Sequence, residues 1–243
     1  MQTEASTALL DRVRKLLAKA EAEGVTAPEA EALTAKAAEL MARYGIDRAM
    51  LAAARPETDK PDSRIIDIDN PWAQVRAHLL AGLAGALRCQ VILLSPDGPG
   101  ARVHVFGYTS DLERTDILYT SLLLQMAHGL TSAPPPAGVR SVRAWRRSWL
   151  LGFAAAVIAR VRAAEERAVS QAEAQAQGGP STALVLADRS VVIRRHLDQA
   201  YPVTRQARIT YSGNGYRAGY SKGQQADIGS TRIGRKKALS RSR

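Results

Sequence analysis

Apolar residues near the start of the chain recur at three- and four-residue intervals. Leu9, Leu10, Val13, Leu16, Leu17 and Ala20 fall on one face of a helix that Ser6 or Thr7 can cap and Gly24 can end. A second helix opens on Thr26-Ala27-Pro28-Glu29, a capping box with proline in the first turn. Its apolar stripe is Ala30, Leu33, Ala37, Leu40, Met41 and Tyr44. Gly45 reads as a left-handed stop, with Ile46 closing the hydrophobic contact behind it. Asp47 then caps a short third helix reaching about Ala54. The pattern predicts a helical hairpin unit over 1–54, followed by a polar, proline-punctuated linker at 55–63.

Beyond the linker the period changes. Arg64–Asp69 reads as a short strand, and Asn70-Pro71 as a cap with proline at the first helical position. The helix that follows carries Trp72, Val75, Leu79, Leu83 and Leu87 toward a core. Residues 89–94 and 102–106 are β-rich runs around Pro96-Asp97-Gly98-Pro99-Gly100, which predicts a hairpin. Ser110-Asp111-Leu112-Glu113 is a second capping box, opening a helix to about Leu130. A proline-rich loop over 131–138 leads into a long helix at 142–176, with Trp145, Trp149, Phe153, Ala156, Val157, Val161 and Ala164 on its apolar face. Gly178-Gly179-Pro180 breaks it. Ala183–Leu186 reads as a short strand, and Arg189–Ala200 as a helix stopped by Pro202. The expected fold class is helix-rich α+β: the N-terminal helical hairpin, then an α+β domain over 64–204 with a small sheet containing antiparallel strands. A basic, glycine- and tyrosine-containing segment over 205–243 completes the chain, with its last nine residues expected to be disordered when free.

The run Leu10-Asp11-Arg12-Val13-Arg14-Lys15-Leu16-Leu17-Ala18-Lys19-Ala20 and the run from Glu29 to Met41-Ala42-Arg43-Tyr44-Gly45-Ile46-Asp47 keep the order and spacing of a known family. In them the chain resembles domain of unknown function 2786, a bacterial and phage family, over about residues 8–50. The remainder is similar to the uncharacterised region that often follows this domain. The resemblance implies a fold and a phage or mobile-element context. It supplies no activity and no catalytic residues.

Composition narrows the class further. At 46% hydrophobic and 5% aromatic, the chain can bury a core built from closely packed helices. Cys89 is the single cysteine, so no intrachain disulfide forms, and a reducing cytoplasmic location fits. The N-terminus lacks the features of a signal peptide, and the most apolar stretch, Trp149–Ala159, is too short to span a bilayer. A soluble protein without a membrane partner is expected.

Charge changes the picture most. Residues 189–243 hold 13 Lys/Arg against 2 Asp/Glu and so carry the whole net charge of +11. A surplus confined to one end points to a polyanionic partner, DNA or RNA. The candidate contacts are Arg205, Arg208, Arg217, Lys222, Arg232, Arg235, Lys236, Lys237, Arg241 and Arg243, interleaved with Tyr211, Tyr216 and Tyr220. Cations bind phosphates, and tyrosine rings stack on exposed bases. A second group, Arg140, Arg143, Arg146 and Arg147, surrounds the start of the long helix, where the macrodipole favours anions; Arg143 and Arg147 are its candidate phosphate contacts. Gly215, Gly219 and Gly223 recur every four residues and line one helix face, which suits close backbone packing or close approach to phosphate.

Catalytic signatures are missing. His78, His104, His128 and His196 are scattered, and no nucleophile motif, cofactor fingerprint or paired-carboxylate pattern is present. Asp111, Glu113 and Asp116 cluster at a helix start, where capping and dipole compensation account for them and a divalent ion is the alternative. The expectation is therefore a non-catalytic nucleic-acid-binding accessory protein with no cofactor. Two other readings stand beside it: a protein-interaction adaptor using residues 8–50, and a metal-dependent enzyme acting on nucleic acid.

Overall fold

The structure, a computed structural model, describes residues 8–13, 15–16, 19, 27–94, 98–176, 180–205 and 213–226. Its elements are α1 (Ala27–Ala54), β1 (Pro61–Asp69), α2 (Ala73–Ala86), β2 (Gln90–Leu94), β3 (Gly100–Tyr108), α3 (Thr109–Thr131), α4 (Val142–Gln175), α5 (Thr182–Ala200) and α6 (Tyr216–Gln225), with a 3-10 turn at Pro56–Thr58. This is a helix-rich α+β fold with one small antiparallel sheet. Residues 8–13 are helical, and Leu10 and Val13 enter the same core cluster as Ala37, Met41 and Tyr44 of α1. The predicted caps at Ser6, Thr7 and Thr26 and the stop at Gly24 lie outside the described residues.

One expectation at the N-terminal end is overturned. Gly45 does not stop a helix; α1 runs through it without interruption to Ala54. The reason is tertiary. A Cβ at residue 45 would sit 2.1 Å from an Nη of Arg114, so the glycine makes room for a buried guanidinium. Ile46 and Ala49 are buried as parts of the continuing helix. The stretch read as a linker carries the 3-10 turn and the first residues of β1, and Arg48 of α1 donates to the Thr58 carbonyl.

The sheet has the order β1-β3-β2, all antiparallel. β1 pairs with β3 from Pro61↔Tyr108 to Asp69↔Gly100, and β2 pairs with β3 from Gln90↔Phe106 to Leu94↔Arg102. Side chains alternate along β3. Ala101, Val103 and Val105 pack with Ile68 and the α2 residues Ala73, Ala77, Leu80 and Ala84. On the opposite face Phe106 meets Ile193 and Leu197 of α5. The expected hairpin is present. α2 departs from its predicted start: the Asn70-Pro71 peptide bond is cis, Trp72 occupies the N-cap at φ 68° and ψ 23°, and the helix begins at Ala73. It ends in a Schellman arrangement, with the Cys89 N–H donating to Ala84 O and the Arg88 N–H to Gly85 O.

α4 is buried around its whole circumference between Ser148 and Val157, apart from Ala155. A helix that is apolar all round needs neighbours on every side, and α1, α2, α3 and α6 supply them. α5 corrects a second expectation. Ala183–Leu186 is helix, not strand. Ser181 caps it by accepting from the Leu184 N–H, and Glu173, from the far end of α4, accepts from the Ala183 N–H at 2.6 Å. A carboxylate at a helix N-terminus stabilises it, and the bond from Ala183, with a second donated by the Ser181 hydroxyl, holds the Glu173 carboxyl below its usual range.

α6 lies on α4 through the glycine row. A Cβ on Gly219 would stand 1.8 Å from the Trp149 carbonyl oxygen, one on Gly223 2.6 Å from that of Phe153, and one on Gly152 of α4 2.0 Å from that of Tyr216. The four-residue glycine spacing therefore serves backbone-on-backbone packing. Residues advance in the same sense on both helices, so they run parallel. Lys222 lies over Gly129 of α3, and Ala226 is buried in the main cluster.

A chain of alternating buried charges links the elements. Asp59 accepts from Arg189 at 2.7 Å, Arg189 reaches Asp111 at 3.2 Å, and Asp111 pairs with Arg114 at 3.0 Å. Arg114, fully buried, also pairs with Glu165, which Arg88 meets at 2.8 Å. Burial alone would lower the Arg114 pKa, but Glu165 and Asp111 outweigh it and hold the guanidinium above its ordinary value. Asp59 accepts from the Ser110 N–H and hydroxyl, so it serves the start of α3 in place of the local capping box read from the sequence. Among the described residues, no helix is long and apolar enough to cross a membrane.

This packing sets the sign of three stability changes. Gly219→Val should cost ~3 kcal/mol, the upper end of overpacking penalties, because it collides with backbone. Gly85→Ala, at an exposed helical position with nothing within 4 Å, should gain up to ~1 kcal/mol. Urea midpoints compare them, and a Gly219→Val protein as stable as the parent would contradict the crossing. Arg114→Met should cost ~3–5 kcal/mol at neutral pH by stranding two buried carboxylates. That loss should shrink as pH falls, since an unpaired buried carboxylate has a raised folded-state pKa and takes up a proton; a pH-independent loss would argue against it.

Candidate nucleic-acid interface

Because α4 and α6 run parallel, their N-termini lie at one end of the molecule. Gly213, at φ 133°, packs on the Ala144 carbonyl, and Gly215 on that of Trp145. The Ser148 hydroxyl accepts from the Gly215 N–H at 2.8 Å and donates to the Trp145 carbonyl at 2.9 Å, fixing the entry to α6. Ser141 caps α4 by accepting from the Ala144 N–H. At the opposite end Arg160 donates to the Gly223 and Ala226 carbonyls, where a cation complements the helix dipole.

This geometry starts two basic helices, about 70 residues apart in the chain, at the same end. Arg140, Arg143, Arg146 and Arg147 are exposed around the start of α4. Tyr216, Arg217, Tyr220 and Lys222 are exposed on α6. Residues 117–164 and 199–226 contain no Asp or Glu, so neither stretch supplies a carboxylate of its own. Arg143, Arg146 and Arg217 have no ion-pair partner among the described residues. Tyr216 and Tyr220, 45% and 37% exposed, stack on each other with centroids 6.1 Å apart and planes at 23°. The surface therefore combines unpaired cations, exposed aromatic rings and two positive helix ends, a combination suited to phosphate.

Of the other residues predicted for this role, Arg205 is exposed. Arg208, Tyr211, Arg232, Arg235, Lys236, Lys237, Arg241 and Arg243 lie outside the described residues. Arg189 belongs to the basic run by sequence but is buried in the ion chain, its guanidinium 3.5 Å from the Tyr108 ring centroid. It is not available to a ligand. Trp145 and Trp149 are buried, as their place on the apolar stripe requires.

Helical spacing places Trp72 toward the core, and the structure gives it a second contact. It packs against the main cluster and also lines a cavity of about 530 Å³ with Asn70, Pro71, Val142, Arg143 and Arg146. A bulky residue at positive φ is an outlier worth explaining. The sequence signal nearest to it is Asn70-Pro71, where proline keeps Asn70 out of the helical region and so marks a corner just before α2.

The carboxylates Asp111, Glu113 and Asp116 do not converge on one site. Asp111 faces Arg114 and Arg189, Asp116 pairs with Arg64, and Glu113 lies near Tyr44. The reading of Asp111 as a cap gives way to its place in the buried ion chain. Among the described residues no group of three His, Cys, Asp or Glu could hold a metal ion. His104 meets the Tyr201 hydroxyl at 2.8 Å and packs against Phe106, and burial lowers its pKa.

Residues 8–48 match a family described as protein of unknown function (DUF2786), which covers the run identified from the sequence. No curated protein and no solved structure gives a significant match.

Cys89 lies under β3, where a Cβ on Gly107 would stand 2.6 Å from its Sγ. Burial, with the charge of Asp111, pushes the thiol up to about 12. A thiol reacts as thiolate, so Cys89 should resist iodoacetamide at pH 8 in the folded protein and alkylate only on unfolding in urea. Rapid labelling of the native protein would show that this packing is wrong.

Proposed function

We propose that this protein binds nucleic acid through phosphate contacts, without catalysing a reaction, at the surface where α4 and α6 begin. The observation that carries the reading is that two helices begin side by side with exposed cations, Arg143, Arg146 and Arg147 in the first turns of α4 and Arg217 in the first turn of α6 with Lys222 further along it, in stretches (117–164 and 199–226) that contain no carboxylate. Exposed cations with no acidic neighbours in their own stretch attract a polyanion at long range and release its counterions on contact. The basic residues at 232–243 extend the same charge along the chain. The ligand class is DNA or RNA, read mainly through its backbone.

The adaptor reading requires an open apolar face within residues 8–50. Leu10, Val13, Ala37, Met41, Tyr44 and Ile46 are buried in this chain's own core, which favours the nucleic-acid reading. A cytoplasmic location accords with a nucleic-acid ligand and with a lone, buried thiol.

Truncation after residue 204 is a poor test, because it would strip α6 from Trp149, Phe153 and Ala156. Charge-neutral variants of the full chain are cleaner. Fluorescence anisotropy with labelled single- and double-stranded DNA and RNA over a salt series should give binding that weakens steeply with salt. Arg143→Gln/Arg147→Gln/Arg217→Gln should weaken it and lower the magnitude of the log–log slope by ~2–3. Neutralising Arg232, Arg235, Lys236 and Lys237 should lower the slope independently. Salt-insensitive binding, or a triple variant indistinguishable from the parent, would refute the proposal.

A further inference from the structure

The cavity beside the first turn of α4 has a composition that phosphate binding alone does not require. Its lining is one aromatic ring, Trp72, two apolar residues, Pro71 and Val142, one amide, Asn70, and two guanidinium groups, Arg143 and Arg146. At about 530 Å³ it falls within the size range of small-ligand pockets. The cations can hold a backbone while the ring and its apolar neighbours offer a flat surface to a planar group. The Asn70 amide has both a donor and an acceptor to offer a base edge.

We infer that this cavity receives an unpaired nucleobase stacked on Trp72, with flanking phosphates on Arg143 and Arg146, so that the protein favours single-stranded over duplex nucleic acid. The inference rests on the nucleic-acid reading above and adds to it. In a duplex the base faces are covered by their neighbours, and an indole reaches them only when the base is unpaired. Trp72 is suited to the task because it is already held. Its backbone is fixed at the corner between β1 and α2, and its side chain packs on the core. A platform ordered before binding loses little conformational entropy when the base arrives.

The chain has three tryptophans, and Trp145 and Trp149 are 4% and 1% exposed. Quenching of intrinsic fluorescence by a stacked base therefore reports on Trp72. The experiment titrates the full-length protein with a short oligothymidylate and with the matching duplex, following both tryptophan fluorescence and anisotropy of a label on the nucleic acid. Single strand should quench tryptophan and bind more tightly than duplex. Trp72→Leu should weaken single-strand binding about tenfold, the scale of one base–aromatic stack, and leave duplex binding unchanged. Trp72→Phe, which keeps a ring, should fall between. Two results would overturn the inference while sparing the phosphate reading: parental protein that binds the single strand to saturation without quenching, or Trp72→Leu that loses neither or both ligands equally. Parental protein that binds no nucleic acid at low salt would overturn both. If Trp72→Leu fails to fold, the parental quenching and the Trp72→Phe affinity decide the matter.

Discussion

The contact of α6 with α4 is the constraint on which the proposed surface depends. Two helix backbones come together where Gly215, Gly219 and Gly223 meet the carbonyls of Trp145, Trp149 and Phe153, and Gly152 answers from the other side. No other residue fits at Gly219. The contact also sets direction. Parallel helices place two positive ends together, an arrangement that repels itself unless something negative lies nearby. Within the chain, hydroxyls do part of this work: Ser141 at α4 and Ser148 at the start of α6. No carboxylate from either stretch takes the remaining place, and arginines gather there instead. An anionic ligand is the chemically consistent partner for such an end.

The second organising feature is the buried chain from Asp59 through Arg189, Asp111, Arg114 and Glu165 to Arg88. Three carboxylates and three guanidinium groups alternate, so the interior remains balanced while charges from the 3-10 turn region, α3, α4, α5 and the end of α2 are joined. Burying ions is expensive, and such pairs serve to specify an arrangement more than to stabilise it. Here Gly45 must be small for Arg114 to lie where it does. The network also separates buried, paired charge from exposed charge. Arg189 is counted in the basic C-terminal run by sequence but balances two acids inside the protein.

Much of the fold was legible in the chain. Long periodic stretches gave α2, α3 and α4 close to their observed spans, and the glycine-rich break between two β-rich runs marked the hairpin. The four-residue glycine row pointed to backbone packing. Failures came where a distant residue decided a local outcome. Gly45 looked like a helix stop because nothing nearby announces Arg114. Ala183–Leu186 looked like a strand because its short apolar run hides the Leu186, Ile193 and Leu197 spacing, and because Glu173 caps it from another helix. Asp111 looked like a cap, whereas Asp59 serves the α3 start and Asp111 turns to arginines. The candidate surface was half legible: each basic group was visible, but their meeting depends on the parallel crossing. Trp72 was hidden for a related reason, since helical spacing assigned it to the core and only the corner before α2 shows its second contact.

On the proposed reading the glycine crossing joins the starts of α4 and α6 into a single anion-binding surface. Backbone hydrogen exchange of the full chain, with and without a saturating oligonucleotide, tests it most directly. Ligand-dependent protection should appear together at residues 142–147 and 213–222, with the middle of α4 unchanged. Protection confined to residues 227–243, or to one of the two helices alone, would contradict the claim.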